Sequence, residues 1–325
     1  MKKEWLVKTL ALGIVVLFIG TGVASPVQLK TDNILKNEQY PKMSRIIIYV
    51  DDDNTQGPWD GTIEHPYKYI QDGVDNASDG DTVFVFEGTY YEGYVSVKKS
   101  INLIGEDKYT TIIDAEGSGD VVHLGGNGIN ISGFTITNGS KSIKLVNTGI
   151  FAHGNDNIIY DNIISNNYFG IDRQWRYYNN TIANNIIENN IIGLSTYLLG
   201  NSKIIGNIFK NNDLVGLDLE YESGHFISLN TFKNNPIAIF SFACEDCLIT
   251  KNNFIRNIRN VITTTRSHKW YRNYWDRPRI LPKMLIGWKF GGWIIPPNGF
   301  PGIPWFYFWP IFDWHPASIP YNIGG

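Results

Sequence analysis

The chain has 325 residues, a formal net charge of −3 and 43% hydrophobic residues. That length allows one large core or two small domains. A near-neutral balance with no Lys/Arg block excludes nucleic acid as the main partner.

The first element in chain order is an export signal. Lys2, Lys3 and Lys8 make a basic start, Leu10 to Ile19 is apolar apart from one Gly, and Gly22-Val23-Ala24 supplies small residues where cleavage is expected. The apolar run is shorter than the roughly 20 residues of a membrane span. We therefore expect a cleaved signal peptide over 1–24, with an uncleaved N-terminal anchor as the alternative, and a flexible polar lead over 25–44. On either reading the body is exported, to the extracellular space or the cell surface.

Residues 46–124 read as an N-terminal cap with the first coils of a repeat. Tyr69, Ile70, Gly73, Val74 and Ala77 predict a helix over Pro66 to Ala77, with Pro suited to the first turn. Strand-like runs follow at Thr82–Phe86, Tyr94–Val97, Ile101–Ile104, Thr111–Ile113 and Val121–Leu124. Asp51-Asp52-Asp53-Asn54, with Asp60, has a calcium-loop composition but lacks the Gly and Glu of an EF-hand, so it reads as a capping turn.

Residues 129–265 are repetitive. One Asn column falls at Asn162, Asn185, Asn207, Asn230 and Asn252, and a second at Asn167, Asn190, Asn212, Asn235 and Asn257. Both advance by 22 or 23 residues. Between them run Ile164, Ile187, Phe209, Phe232 and Phe254, and ahead of them Ile159, Ile182, Ile204, Ile227 and Ile249. These apolar positions scatter around a helix, whereas short strands joined by Asn turns accommodate them. One unit has a contour of about 75 Å, a single lap of a coil whose laps stack at about 4.8 Å. The expected fold is an all-β, single-stranded parallel β-helix, a solenoid over 46–265. Its Asn ladders would be structural, with side-chain amides bonded along the axis.

Four features carry candidate chemistry. Cys244 and Cys247 form a Cys-x-x-Cys pair. A zinc site needs four ligands, and His225 and His268 lack ligand-like spacing to the pair, so the open readings are a local disulfide or two free thiols. Asp172 and Asp218 share a lap position with Ser195 between them. Asp218, Glu220 and Glu222 share one strand face, outward if Leu217 and Leu219 point in, with Arg173 and Arg176 nearby. These four carboxylates would line an acidic groove for calcium or sugar, and an ordinary solvated face is the alternative. The six His do not pair at short spacing and Met is confined to Met1, Met43 and Met284, so no copper set is expected and no metal residue is assigned. Last, Trp270, Trp275, Trp288, Trp293, Trp305, Trp309 and Trp314 crowd the final segment, 266–325, among Gly and Pro. Pro296, Pro297, Pro301 and Pro304 rule out a regular spanning helix there. The segment reads as an aromatic, Pro-rich C-terminal cap. Its other readings are an aromatic platform for sugars or an interfacial membrane contact.

Several runs carry a family resemblance. Ile48-Tyr49-Val50-Asp51-Asp52-Asp53-Asn54, Ile70-Gln71-Asp72-Gly73, Gly80-Asp81-Thr82-Val83, Gly88-Thr89-Tyr90-Tyr91-Glu92 and Ser100-Ile101-Asn102-Leu103-Ile104-Gly105 resemble the opening of NosD-like β-helix proteins, a group common on archaeal surfaces. The Asn repeats, Asn273-Tyr274-Trp275 and Asp313-Trp314-His315-Pro316 are similar to the same group and to the wider pectin-lyase-like superfamily. The resemblance covers about 46–325 and implies a right-handed parallel β-helix. Named NosD proteins assist copper delivery to nitrous oxide reductase, while many relatives on this fold cleave or bind acidic polysaccharides. The expected function is an exported surface module that binds polysaccharide or surface proteins without turnover, with calcium as its one candidate ion. The alternatives are a polysaccharide lyase or hydrolase, and an accessory factor for a copper metalloenzyme.

Overall fold

The structure is a computed structural model that describes residues 46–141, 147–173, 178–197, 200–277, 281–294 and 303–323. The expected signal peptide and flexible lead lie outside the described residues. The described chain winds into a right-handed parallel β-helix with three sheets, each lap adding one short strand to each sheet. The first sheet runs from Ile47–Val50 through Ile158–Tyr160 to Lys269–Tyr271. The second runs from Gly88–Tyr90 through Ile163–Asn167 to Tyr274–Trp275. The third runs from Val95–Val97 through Val215–Glu220 to Arg259–Thr263, and then takes up a hairpin of Lys283–Ile294 and Ile303–Asp313.

The expected columns are the observed registers. Ile159, Ile182, Ile204, Ile227 and Ile249 pair in turn in the first sheet. Ile164, Ile187, Phe209, Phe232 and Phe254 do the same in the second. All ten side chains are buried. The phenylalanines stack nearly flat, with centroids 4.9 Å apart for Phe209–Phe232 and 5.2 Å for Phe232–Phe254. Such contacts follow from placing identical residues one strand spacing apart.

The Asn ladders bond along the axis. In the first, the backbone N–H groups of Asn162, Asn185, Asn207 and Asn230 donate to the Oδ1 of the next Asn at 2.9–3.0 Å. Each Nδ2 also donates to a carbonyl one lap back, as Asn207 does to Ile182 at 2.8 Å. The second ladder, from Asn167 to Asn257, repeats the pattern at 3.0–3.2 Å. The left-handed corners, however, fall on the residue before each ladder Asn: Asp161, Asn184, Leu229 and Lys251 all have φ between 54° and 56°. The ladder Asn is thus selected for its amide, which satisfies buried backbone at the corner, and the preceding position absorbs the turn.

Both ends are capped. The predicted helix forms over Ile70–Asn76. Glu92 accepts the N–H groups of Ile70 and Gln71 at 2.7 and 3.0 Å, and Lys99 Nζ donates to the carbonyls of Asp75 and Ala77 at 2.7 Å. Opposite charges at the two helix ends complement its dipole and its orphan backbone groups. At the other end the coils continue past the boundary expected near residue 265. Trp270 extends the Ile249 column and Trp275 the Phe254 column. Asn273 extends the first ladder, receiving Asn252 at 3.0 Å. The ladder closes on Asp313, whose Oδ2 accepts Asn273 N at 2.9 Å, Asn273 Nδ2 at 3.1 Å and Trp275 Nε1 at 3.0 Å.

Asn207→Ala leaves two buried donors of Asn185 and the Ile182 carbonyl without this partner. It is expected to cost about 2–4 kcal/mol in denaturant unfolding. A loss below about 0.5 kcal/mol would mean that the ladder does not hold the coils.

Candidate functional site

The third sheet presents its outward side chains as one continuous column. Ser96, His123, Phe151, Asp172, Ser195, Asp218, Phe240 and Ile262 pair in register from lap to lap. Leu217 and Leu219 are buried beneath, which turns Asp218 and Glu220 outward as the alternation requires. The next outward column sets Glu220 between Tyr197 and Phe242. Tyr221 stacks edge-on against both aromatics, with centroids 5.6 and 5.4 Å away.

The four expected groove carboxylates do not stay together. Asp172 lies two laps from Asp218 in the same column, as expected, but is only 4% exposed. Glu222 leaves the shared face because the chain turns at Tyr221, φ 54°, a left-handed corner that period-two alternation cannot anticipate. It is buried and paired with His225 Nε2. His225 Nδ1 accepts the Ser202 N–H at 3.3 Å, so the imidazole proton sits on Nε2 and is donated to Glu222. Asp218 and Glu220 remain as the half-buried outward pair. Burial, and then the charges of Glu220, Glu222 and Asp172, push the Asp218 carboxyl up to about 7. Its buried Oδ1 has no hydrogen-bond partner. Two outward carboxylates fall short of the six to eight oxygens that calcium takes, so calcium here would lean on water or on a ligand.

The same sheet face joins residues that are remote in sequence. Tyr94 Oη and His123 Nδ1 are 3.2 Å apart, and His123 Nε2 and His153 Nδ1 are 3.3 Å apart. His123 stacks between Tyr94 and Phe151 at centroid distances of 5.4 and 5.6 Å. Burial lowers both imidazoles from their ordinary range; Lys98 lowers His123 further, against Asp120, and His123 lowers His153. The grouping was hidden because the early laps are 28 residues long, so the two His are 30 apart.

Cys244 and Cys247 are free, fully buried thiols. Burial raises both, Cys247 to about 12, so they stay protonated at neutral pH. Cys247 lies one lap from His225 and one from His268, a grouping that short-spacing rules missed. This column continues a third, shorter ladder that begins with Asn157 and Asn180, linked at 2.7 Å. Imidazole Nδ1 takes the place of the amide oxygen, accepting Ser202 N–H at His225 and Cys247 N–H at His268, the latter at 3.4 Å. The role of this column is structural.

The aromatic platform splits. Trp270 and Trp275 are 5% and 1% exposed, because they fill inward columns of the last lap. Trp314 is 63% exposed. The side chains of Trp288, Trp293, Trp305 and Trp309 lie outside those described.

The fold and the sheet face define a β-helix of the pectate-lyase-like class. Pectate lyase Pel9A is 15% identical with a TM-score of 0.55, covering 71% of this chain and 70% of that one. The Dettilon tailspike protein is 14% identical (TM-score 0.52, 70% and 49% covered). The GH136 lacto-N-biosidase of Eubacterium ramulus is 12% identical (TM-score 0.50, 71% and 56% covered). The chain thus spans about half the length of the last two, and at these identities the likeness is one of fold. No curated protein matches the chain. The family model "Periplasmic copper-binding protein (NosD)" matches residues 74–291, and the chain belongs to that family.

The described residues do not fit a copper centre. Among them no three His, Cys, Asp or Glu converge on a point that could hold a metal ion. The paired ring nitrogens of His123 and His153 face each other, and the cysteine Sγ atoms donate to the carbonyls of Phe242 and Glu245. Among the described residues, no helix is long and apolar enough to cross a membrane.

Because folding raises the Asp218 pKa above its unfolded value, its contribution is fully present below about pH 4 and is lost as pH rises through about 7. Asp218→Asn should therefore match the native protein near pH 4 and exceed it above pH 7, by of order 2 kcal/mol. Thermal unfolding across that range checks this; parallel curves would contradict it.

Proposed function

We propose that this protein is an exported module that binds polysaccharide along the outer face of its third sheet without turnover. One observation carries the reading: a straight outward strip in which aromatic and carboxyl side chains repeat at lap spacing, from His123 and Phe151 to Asp218, Glu220, Phe240 and Phe242. Five laps separate His123 from Phe240, a length of roughly 24 Å. An extended sugar chain offers C–H faces to rings and hydroxyls to carboxylates along such a line. The family's description as periplasmic supports export.

A hydrolase reading has one observation in its favour. Asp218, held up to about 7, is poised to donate a proton at neutral pH. A partner carboxylate is the weak point. Asp172 stands roughly 9.6 Å away along the axis, at the far edge of the inverting range, and it is buried.

The purified protein is tested against immobilised polysaccharides, with and without calcium, for retention and for newly released ends. Retention without release is expected, and Tyr221→Ala with Phe242→Ala should weaken it about tenfold. Retention unchanged in that double variant would contradict the strip. New ends that disappear in Asp218→Asn would replace binding by hydrolysis.

A further inference from the structure

A second surface site lies at the C-terminal end, where the last lap meets the returning strand of the hairpin. Between them is an open cavity of about 580 Å³. That volume is in the range of ordinary ligand sites. Its floor is Trp270, which is 5% exposed and whose indole N–H has no hydrogen-bond partner. A buried indole N–H ordinarily finds an acceptor. Trp275, one strand away, does so by donating to Asp313 at 3.0 Å. The orphan donor of Trp270 therefore points to an acceptor supplied by a ligand.

The remaining lining is specific in charge. Arg266 and Lys269 are exposed cations on the rim, and none of the lining residues is acidic. His268 also lines the cavity but brings no charge: burial lowers it to about 4. Its Nδ1 accepts the Cys247 N–H, and its Nε2 bonds Ser241 Oγ at 2.8 Å. Aromatic surface completes the walls. Tyr271 is 38% and Trp314 63% exposed, and Trp314 leans on Phe312 with centroids 4.9 Å apart.

We propose that this cavity binds an anionic pyranose residue, with a carboxylate or sulfate between Arg266 and Lys269, a ring face on Trp314 or Tyr271, and an oxygen accepting the Trp270 N–H. Arginine and lysine supply charge-assisted donors, the aromatic faces take the C–H side of the ring, and the orphan indole selects an oxygen. The site shares with the proposed function only the broad class of ligand. It is built from different residues, so either can fail alone.

The test is calorimetric titration of the full chain with short oligouronates, with a sulfated oligosaccharide, with a neutral oligosaccharide of equal length, and with inorganic phosphate. The anionic sugars should bind and the other two should not; whether uronate or sulfated sugar binds more tightly identifies the source of the charge. Arg266→Gln with Lys269→Gln should weaken binding about tenfold or more, since both cations are lost. Trp270→Phe, which keeps the ring in its core column, should weaken binding several-fold with thermal unfolding unchanged. Asp218→Asn should leave this binding intact, which separates it from the sheet face. Binding that survives the double substitution, equal binding of the neutral sugar or of phosphate, or no binding of either anionic sugar at millimolar concentration would each overturn the proposal.

Discussion

The structure depends on one repeated interaction, the donation of an Asn backbone N–H to the side-chain oxygen of the Asn one lap ahead. At the corners of a coil the backbone cannot pair strand to strand, and buried backbone left unpaired there would be costly. The amide of Asn185, Asn207 or Asn230 supplies an acceptor in one direction and a donor in the other. Because each bond reaches the same position of the adjacent lap, it fixes the register. Once register is fixed, every inward residue lies on an inward residue and every outward residue on an outward one. The flat Phe stack and the outward strip of the third sheet are two consequences of the same constraint.

A ladder of this kind must end somewhere, and the ends explain much of the chain outside the repeats. At the N-terminal side, Glu92 and Lys99 hold the two ends of the Ile70–Asn76 helix that closes the first coils. At the C-terminal side the last Asn needs an acceptor, and Asp313 provides it from the returning strand of the hairpin. An open stack of parallel strands would expose unpaired edge groups, so closure protects the edge as well as the ladder. The cavity over Trp270 is a by-product of that closure, because the strand that carries Asp313 also brings Phe312 and Trp314 over the final lap.

What could be read from the sequence divides along the same line. The Asn and apolar columns between residues 159 and 257 were legible because their spacing holds at 22 or 23 residues. The pairing of His123 with His153 was not, because laps of 28 residues displace every column. Trp270, Trp275 and Asn273 continue known columns after a lap of 21, but their Gly- and Pro-rich surroundings made them read as cap. The inward turn of Glu222 depends on Tyr221 adopting a left-handed conformation, which tyrosine seldom does and no pattern announces. The pairing of Glu222 with His225, and the raised carboxyl of Asp218, are products of packing between laps and have no signature along the chain.

Hydrogen exchange resolved to single amides tests the central claim most directly. If the ladders hold the coils, the backbone N–H groups of Asn185, Asn207, Asn230, Asn190 and Asn212 exchange as slowly as those of the buried strands beside them, at a rate set by global unfolding. The account is contradicted if these corner amides exchange at rates typical of exposed turns while the neighbouring strands stay protected.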